Sequence, residues 1–273
     1  MIADWQQGDH MEAVRVVVNG ALGRMGQEVI KAVVREPELK LVGAAEKNVT
    51  QKYLPLTYDF VPFSSDLASL LKGCNAHVLI DFTTAEASIK AARVATKQHV
   101  NLVIGTTGLS EENLAEIRQL CEENGVGAVV APNFSLGAVV LMHLAKIAAR
   151  FFEHAEILEM HHDKKIDAPS GTAISTAKGM LEARGKSFTF PKTEREILGG
   201  TRGGQMQGIA IHSLRLPGFM AGQEVILGKA GEILSLRHEI ISRESYMPGV
   251  ILAVKEVTNR KGLVYGLDAL LNL

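Results

Sequence analysis

Val14-Arg15-Val16-Val17-Val18-Asn19-Gly20-Ala21-Leu22-Gly23-Arg24-Met25-Gly26 is the stretch that decides the fold. It opens on a short run rich in valine, which predicts a strand buried on both faces of a parallel sheet. Three glycines, at 20, 23 and 26, then lead into a helical stretch with Val29, Ile30, Val33 and Val34 on one side. The same alternation continues downstream. Strands are expected at 39–45, 77–82, 100–104 and 127–131, with helices at 85–97 and 111–124. Strands and helices in this order give a parallel sheet with right-handed crossovers.

In such a sheet, ligands bind beyond the carboxyl ends of the strands. Those ends carry the glycine turn, Glu46-Lys47, Asp81-Phe82-Thr83-Thr84, Gly105-Thr106-Thr107-Gly108 and Ala131-Pro132-Asn133-Phe134. The dinucleotide fingerprint is G-x-G-x-x-G, and here Leu22 stands in the middle glycine slot. Taken alone, the turn is also what any tight strand-to-helix connection uses. Its context argues for a dinucleotide: it follows the first strand and opens a helix, and Glu46 lies twenty residues beyond Gly26. A carboxylate there can accept both hydroxyls of an adenine ribose. Lys47 beside it can take a 2′-phosphate, so NAD and NADP both stand as alternatives.

After Asn133-Phe134-Ser135 the pattern changes. A helix bearing Leu141, Leu144, Ile147, Ala148 and Phe151 leads to an extended segment at 155–160, and a second helix is expected at 172–184. Extended runs follow at 208–216, 223–227 and 233–241. In the last of these Leu234, Leu236, His238 and Ile240 alternate with Ser235, Arg237 and Glu239. Consecutive strands without helices between them imply a mixed or antiparallel sheet. The fold expected is therefore α/β: a Rossmann-type doubly wound parallel sheet over 14–133, plus a second α+β domain over 134–246. A final helix from Pro248 belongs to a segment, 247–273, expected to pack back on the first domain. Residues 1–13 read as a loose tail.

Between the two helices of the second half lies Glu159-Met160-His161-His162-Asp163-Lys164-Lys165-Ile166-Asp167-Ala168-Pro169-Ser170-Gly171-Thr172-Ala173. Imidazole passes protons near neutral pH, and lysine holds or protonates an anion. A Ser-Gly-Thr helix start offers unpaired backbone N–H groups to a carboxylate. Together they suit a small dianion that is protonated while it is held. Neighbouring residues on a strand point to opposite faces, so His161, His162 and Asp163 chelate one ion poorly and no metal site is expected.

Composition narrows the setting. A net charge of −1 gives no electrostatic case for nucleic acid or an anionic membrane. Two cysteines without paired or metal-type spacing favour a reducing cytoplasm. The start of the chain lacks the basic and apolar regions of a signal peptide, and no apolar run approaches the length of a membrane span.

With these residues in view, the sequence resembles the 4-hydroxy-tetrahydrodipicolinate reductases, also called dihydrodipicolinate reductases, of bacterial and plant lysine biosynthesis. The stretch from Glu159 to Ala173 resembles the family pattern E-x-H-H-x-x-K-x-D-A-P-S-G-T-A, a long and specific motif. Residues 20–26 are similar to its G-x-x-G-R-M-G turn and residues 105–108 to its G-T-T-G loop. Pro132-Asn133-Phe134-Ser135 and Ile211-His212-Ser213-Leu214-Arg215-Leu216-Pro217-Gly218 also match family stretches. The likeness runs from about Val14 to the C-terminus.

The resemblance implies NAD(P)H-dependent reduction of an unsaturated heterocycle bearing two carboxylates, by a homotetramer whose second-domain sheets pack together. It implies that His161 gives or accepts a proton and that Lys165 is the second proton donor. His162, Ser170, Gly171 and Thr172 would hold the substrate carboxylates, and Arg243 matches a family position near the substrate. Gly20, Ala21, Leu22, Gly23, Arg24, Met25, Glu46, Lys47, Gly105, Thr106, Thr107, Ala131, Pro132, Asn133 and Phe134 would take the cofactor. Lys47 keeps the charge of the arginine some members carry there but lacks its bidentate fork.

Rival readings are a silent nucleotide-binding sensor and a reductase of aldehydes. A sensor has no need of two proton donors beside a carboxylate site, and an aldehyde has no use for a dianion site. Thioester chemistry is not expected, because Cys121 falls inside a helical run and Cys74 precedes a strand.

Overall fold

The computed structural model describes residues 12–57 and 59–273; the tail expected over 1–13 lies, but for its last two residues, outside them. Two compact units result. One ends at Phe134 and resumes over Met247–Leu270, and the other comprises Ser135–Tyr246 with Leu271–Leu273.

The first unit contains β1 (Val14–Asn19), α1 (Arg24–Arg35), β2 (Leu39–Ala45), β3 (Tyr53–Pro55), β4 (Phe60–Ser64), α2 (Leu67–Cys74), β5 (Val78–Asp81), α3 (Ala85–Lys97), β6 (Asn101–Ile104), α4 (Glu111–Asn124) and β7 (Gly127–Val130). The second contains α5 (Leu136–Ala148), β8 (His154–His161), α6 (Gly171–Arg184), β9 (Gly204–Met206), β10 (Ile209–Arg215), β11 (Ala221–Lys229) and β12 (Glu232–Ile240). The chain then returns to the first unit with α7 (Met247–Val257) and β13 (Gly262–Tyr265), and ends in the single turn of α8 (Asp268–Leu271).

The sheet of the first unit runs β13-β7-β6-β5-β1-β2-β4-β3 and is parallel except for β3, which pairs antiparallel with β4. The Val16, Val17 and Val18 side chains are wholly buried, as a central strand covered on both faces requires. The chain winds outward from β1 on one side and restarts at β5 on the other. The order therefore reverses between β1 and β5, and their carboxyl ends form the switch point where such sheets bind ligands. Helix caps fix the crossovers: Thr84 accepts from the Ala87 amide, and Ser110 and Asn113 form a reciprocal capping box on α4.

The second unit is a mixed sheet, β12-β11-β8-β10-β9, in which only β8 and β10 run parallel. Helices α5 and α6 pack on one face, where Leu141, Ala145, Ala177 and Met180 meet Ile157, Ile211, Val225 and Leu227. The opposite face carries polar pairs: Arg202 and His212 both contact Glu156, and Arg237 faces Glu224. Two sheets of this kind make the α/β fold expected from the pattern.

Candidate active site

The glycine turn begins where β1 ends. Gly20 has φ +80°, and a Cβ on it would lie 3.0 Å from the Phe82 carbonyl oxygen. A Cβ on Gly26 would meet the Gly20 carbonyl at a distance real side chains do not tolerate, so α1 starts tight against the turn. Gly23 is the N-cap and supplies no side-chain hydrogen bond, so the first amides of α1 stay open. At this point the carboxyl end of β2 is tied in. The Glu46 carboxylate accepts from the Leu22 amide (3.1 Å) through Oε2 and from the Lys47 amide (2.9 Å) through Oε1. The backbone of Ala21 is drawn to the same strand end by its bond to the Ala45 carbonyl (3.1 Å). Ala21 is buried and Met25 half-buried, while Leu22, Arg24 and Lys47 are exposed. An anion-ready helix start beside a fixed carboxylate fits a dinucleotide.

The other strand ends converge on Asp81, a carboxylate only 1% exposed. It accepts from Asn19 Nδ2 (2.6 Å), the Thr83 amide (3.1 Å) and hydroxyl (2.8 Å), Ser88 Oγ (2.5 Å) and Thr106 Oγ1 (3.1 Å). One buried anion thus ties the ends of β1, β5 and β6 together. Gly105 packs against the Phe82 ring, and that ring lies 5.7 Å from the ring of Phe134. Gly105, Thr106 and Phe134 are brought together in this way, with Ala131 buried at the end of β7. Thr107 and Pro132 are exposed and Asn133 is half-buried. Sequence reading assigned Asp81 no role, although a carboxylate closing the apolar strand Val78-Leu79-Ile80 was its signal.

In the second unit the centre is Glu159, whose side chain is completely buried. It sits two residues before His161 on β8, so both face the same side. Oε2 accepts from His161 Nδ1 (2.6 Å) and Arg215 Nη1 (3.0 Å). Oε1 accepts from Arg215 Nη2 (2.6 Å) and the Ser170 amide (3.2 Å). Burial alone would raise the Glu159 carboxyl, but hydrogen bonds from Arg215, Ser213 and His161 outweigh it and hold the group below the ordinary carboxylate range. His161 moves down too. Burial is the first cause, and the charges of Lys165 and Arg215 add to it against the pull of Glu159.

Lys165 follows a turn closed by its amide to the His162 carbonyl (3.2 Å), and its Nζ pairs with Asp167 Oδ1 (2.7 Å). Arg215 Nη2 donates to the Asp167 carbonyl (2.8 Å), which joins the lysine turn to the Glu159 cluster. Ser170 caps α6 by accepting from the Ala173 amide (3.2 Å). The amides of Gly171 and Thr172 occupy the first helical turn, and nothing packs over Gly171. The helix starts one residue earlier than its apolar spacing suggested, because Ser170 rather than Gly171 is the cap. His161, Lys165 and Ser170-Gly171-Thr172 are thereby linked through one hydrogen-bonded group. His162 is half-buried just beyond β8. Arg243 lies on a separate 3₁₀ turn, Arg243–Tyr246, and takes no part in the hydrogen bonds of this cluster. Glu159, Asp167 and Arg215 stand within the sequence motifs, but local spacing gives none of them a role.

A doubly wound unit with an open glycine turn, and a second unit with a histidine and a lysine tied to a helix start, fit a nicotinamide-dependent oxidoreductase. Comparison with known proteins is specific. Residues 14–134 match the family model described as dihydrodipicolinate reductase, N-terminus, and residues 137–271 match that described as dihydrodipicolinate reductase, C-terminus. A 4-hydroxy-tetrahydrodipicolinate reductase of Dehalococcoides mccartyi (strain ATCC BAA-2100 / JCM 16839 / KCTC 5957 / BAV1) is 50% identical over 265 residues, covering 96% of this chain and 100% of the relative. The enzyme of the same description in Bacillus subtilis (strain 168) is 43% identical over 267 residues, covering 96% and 99%. A solved structure described as a dipicolinate-bound dihydrodipicolinate reductase from Paenisporosarcina sp. TG-14 superposes with a TM-score of 0.85 at 38% identity, covering 94% of this chain and 99% of that one. The chain belongs to the dihydrodipicolinate reductase family, whose members are NAD(P)H-dependent oxidoreductases.

Proposed function

We propose that this protein reduces 4-hydroxy-tetrahydrodipicolinate, or the dihydrodipicolinate formed from it by loss of water, to tetrahydrodipicolinate in the diaminopimelate route to lysine. The observation that carries this reading is the coupling of His161 to the start of α6 through Glu159, which sets a proton carrier beside open amides. The cofactor, when bound, supplies a hydride. Addition of two electrons and one proton to the conjugated carbon–nitrogen system leaves a ring atom that must be protonated. His161 and Lys165 supply that acid function, which contributes about 10²–10⁴-fold in such reactions. His162, the Ser170 hydroxyl and the amides of Gly171 and Thr172 hold the carboxylates, with Arg243 as a further cation. Charge-assisted hydrogen bonds of this type orient a dicarboxylate as well as bind it.

Residues 20–25, Glu46, Lys47, 105–107 and 131–134 hold NADH or NADPH. Glu46 suits the ribose hydroxyls of NADH and Lys47 the phosphate of NADPH, so we propose that both are used. The homotetramer is part of this reading, through the sheet face opposite α5 and α6, where Leu158, Leu214 and Ile226 lie half-buried among the polar pairs. A cytoplasmic setting suits Cys74 and Cys121, both buried free thiols. Burial raises the Cys121 thiol to about 11, which argues for a packing role. Among the described residues no helix is long and apolar enough to cross a membrane.

The test follows nicotinamide absorbance as the purified protein meets freshly generated dihydrodipicolinate with NADH and with NADPH. Rapid oxidation that depends on the heterocycle supports the reading. Tight cofactor binding without turnover would replace it with the sensor.

A further inference from the structure

We propose that Glu159 is a positioning residue: it keeps the proton of the neutral His161 ring on Nδ1, leaves Nε2 for the substrate, and holds that ring in register with the start of α6. This rests on the reductase reading for the substrate alone; the geometry stands independently of it.

An ionised carboxylate can only accept hydrogen bonds. Glu159 is kept ionised by the two-pronged contact with Arg215, so the 2.6 Å approach of His161 Nδ1 requires that nitrogen to donate. The neutral ring then presents an unprotonated Nε2, able to take a proton and deliver it. Without the carboxylate the proton is free to settle on either nitrogen. The second oxygen accepts from the Ser170 amide, so one rigid side chain sets both the imidazole and the N-cap of α6. Arg215 extends the frame to the Asp167 carbonyl, and Asp167 holds Lys165. The charged groups that bear on the imidazole are Glu159, Lys165 and Arg215.

A purely structural ion pair does not explain this placement. A buried carboxylate–guanidinium pair is often no more stabilising than apolar residues of equal volume. Glu159 instead gives one oxygen to the His161 ring and the other to the Ser170 amide at the start of α6, a use that packing does not require. The same logic fixes the ring of a metal-binding or triad histidine through the nitrogen it does not use.

The experiment uses the full chain labelled with ¹⁵N-histidine. Solid-state NMR reads the ring nitrogens of His161, identified by the signal lost in His161→Gln. The parent at pH 8 is expected to show Nδ1 protonated and Nε2 bare. Glu159→Gln is expected to shift the ring towards protonation at Nε2 and to lower its titration midpoint, because the groups left beside it are cations. Its kcat is expected to fall about 10²-fold, with the limb of the pH–rate profile that reports His161 displaced, while KM moves far less. A parent ring protonated at Nε2 would overturn the proposal, and so would an unchanged tautomer and pH profile in Glu159→Gln. Should that variant fail to fold, the parent tautomer decides. Because the ring is read without turnover, an inactive parent would count against the reductase and not against the positioning role.

Discussion

The Nδ1 atom of His161 lies 2.6 Å from Oε2 of Glu159, two residues back on the same strand, and Glu159 has no exposed surface. The imidazole is thus braced from beneath by a carboxylate that solvent does not reach. The pairing also governs how the site meets its ligand.

Ligand binding is expected to take up a proton. Burial first, then the charges of Lys165 and Arg215, hold His161 below the ordinary imidazole value against the pull of Glu159, and so favour the neutral ring. Two carboxylates arriving beside it favour the charged ring and raise it. Calorimetry of dipicolinate binding at pH 7 in buffers of different ionisation enthalpy should show net uptake, and affinity should weaken as pH rises through the raised value. For stability the sign is opposite. A depressed histidine contributes above its unfolded value, and that contribution is lost as pH falls through the folded one.

Asp81→Asn should damage the first unit. The buried carboxylate accepts from Asn19, Thr83, Ser88 and Thr106, and an amide cannot accept from all of them. Urea unfolding is expected to show a loss of about 2–4 kcal/mol, and NADH affinity should fall with it because Thr106 and the end of β1 lose their common anchor.

Gly26→Ala should weaken cofactor binding while the second unit keeps its fold. Its methyl group would press on the Gly20 carbonyl, a backbone atom that cannot rotate away. Fluorescence titration should show NADH affinity reduced at least about tenfold, a loss of about 1.4 kcal/mol or more.

Lys47→Ala should raise the KM for NADPH more than that for NADH, since the lysine can meet only the 2′-phosphate. In the parent, kcat/KM for the two cofactors should differ by less than about 100-fold, a gap of under about 3 kcal/mol. A larger preference for either would mean that Glu46 and Lys47 do not share the adenine ribose.

Much of the architecture was legible because it rests on local pattern. The valine run with its glycines, and the helices at 85–97 and 111–124, follow from periodicity and caps within a few residues. The short strands Tyr53–Pro55 and Phe60–Ser64 were not read, because Pro55, Asp59 and Pro62 break any alternation there. The helix Leu67–Cys74 went unread with them. The motif also singled out His161, Lys165 and Ser170-Gly171-Thr172 without revealing what joins them. Glu159 meets Arg215 across 56 positions, and Asp81 meets Asn19 across 62. Such pairs depend on strand order, which no local spacing encodes. Lys165 shows a different limit: Lys164 and Asp167 both lie within two residues of it, and the turn decides that its side chain pairs with Asp167.

The most direct test sets Lys165→Ala beside the parent, following NADH oxidation on freshly generated dihydrodipicolinate and dipicolinate binding in the same preparations. The account predicts rapid turnover by the parent and a kcat lower by about 10²-fold or more in the variant, with dipicolinate still bound. Equal turnover by the two proteins would contradict it, since the proton would then come from elsewhere.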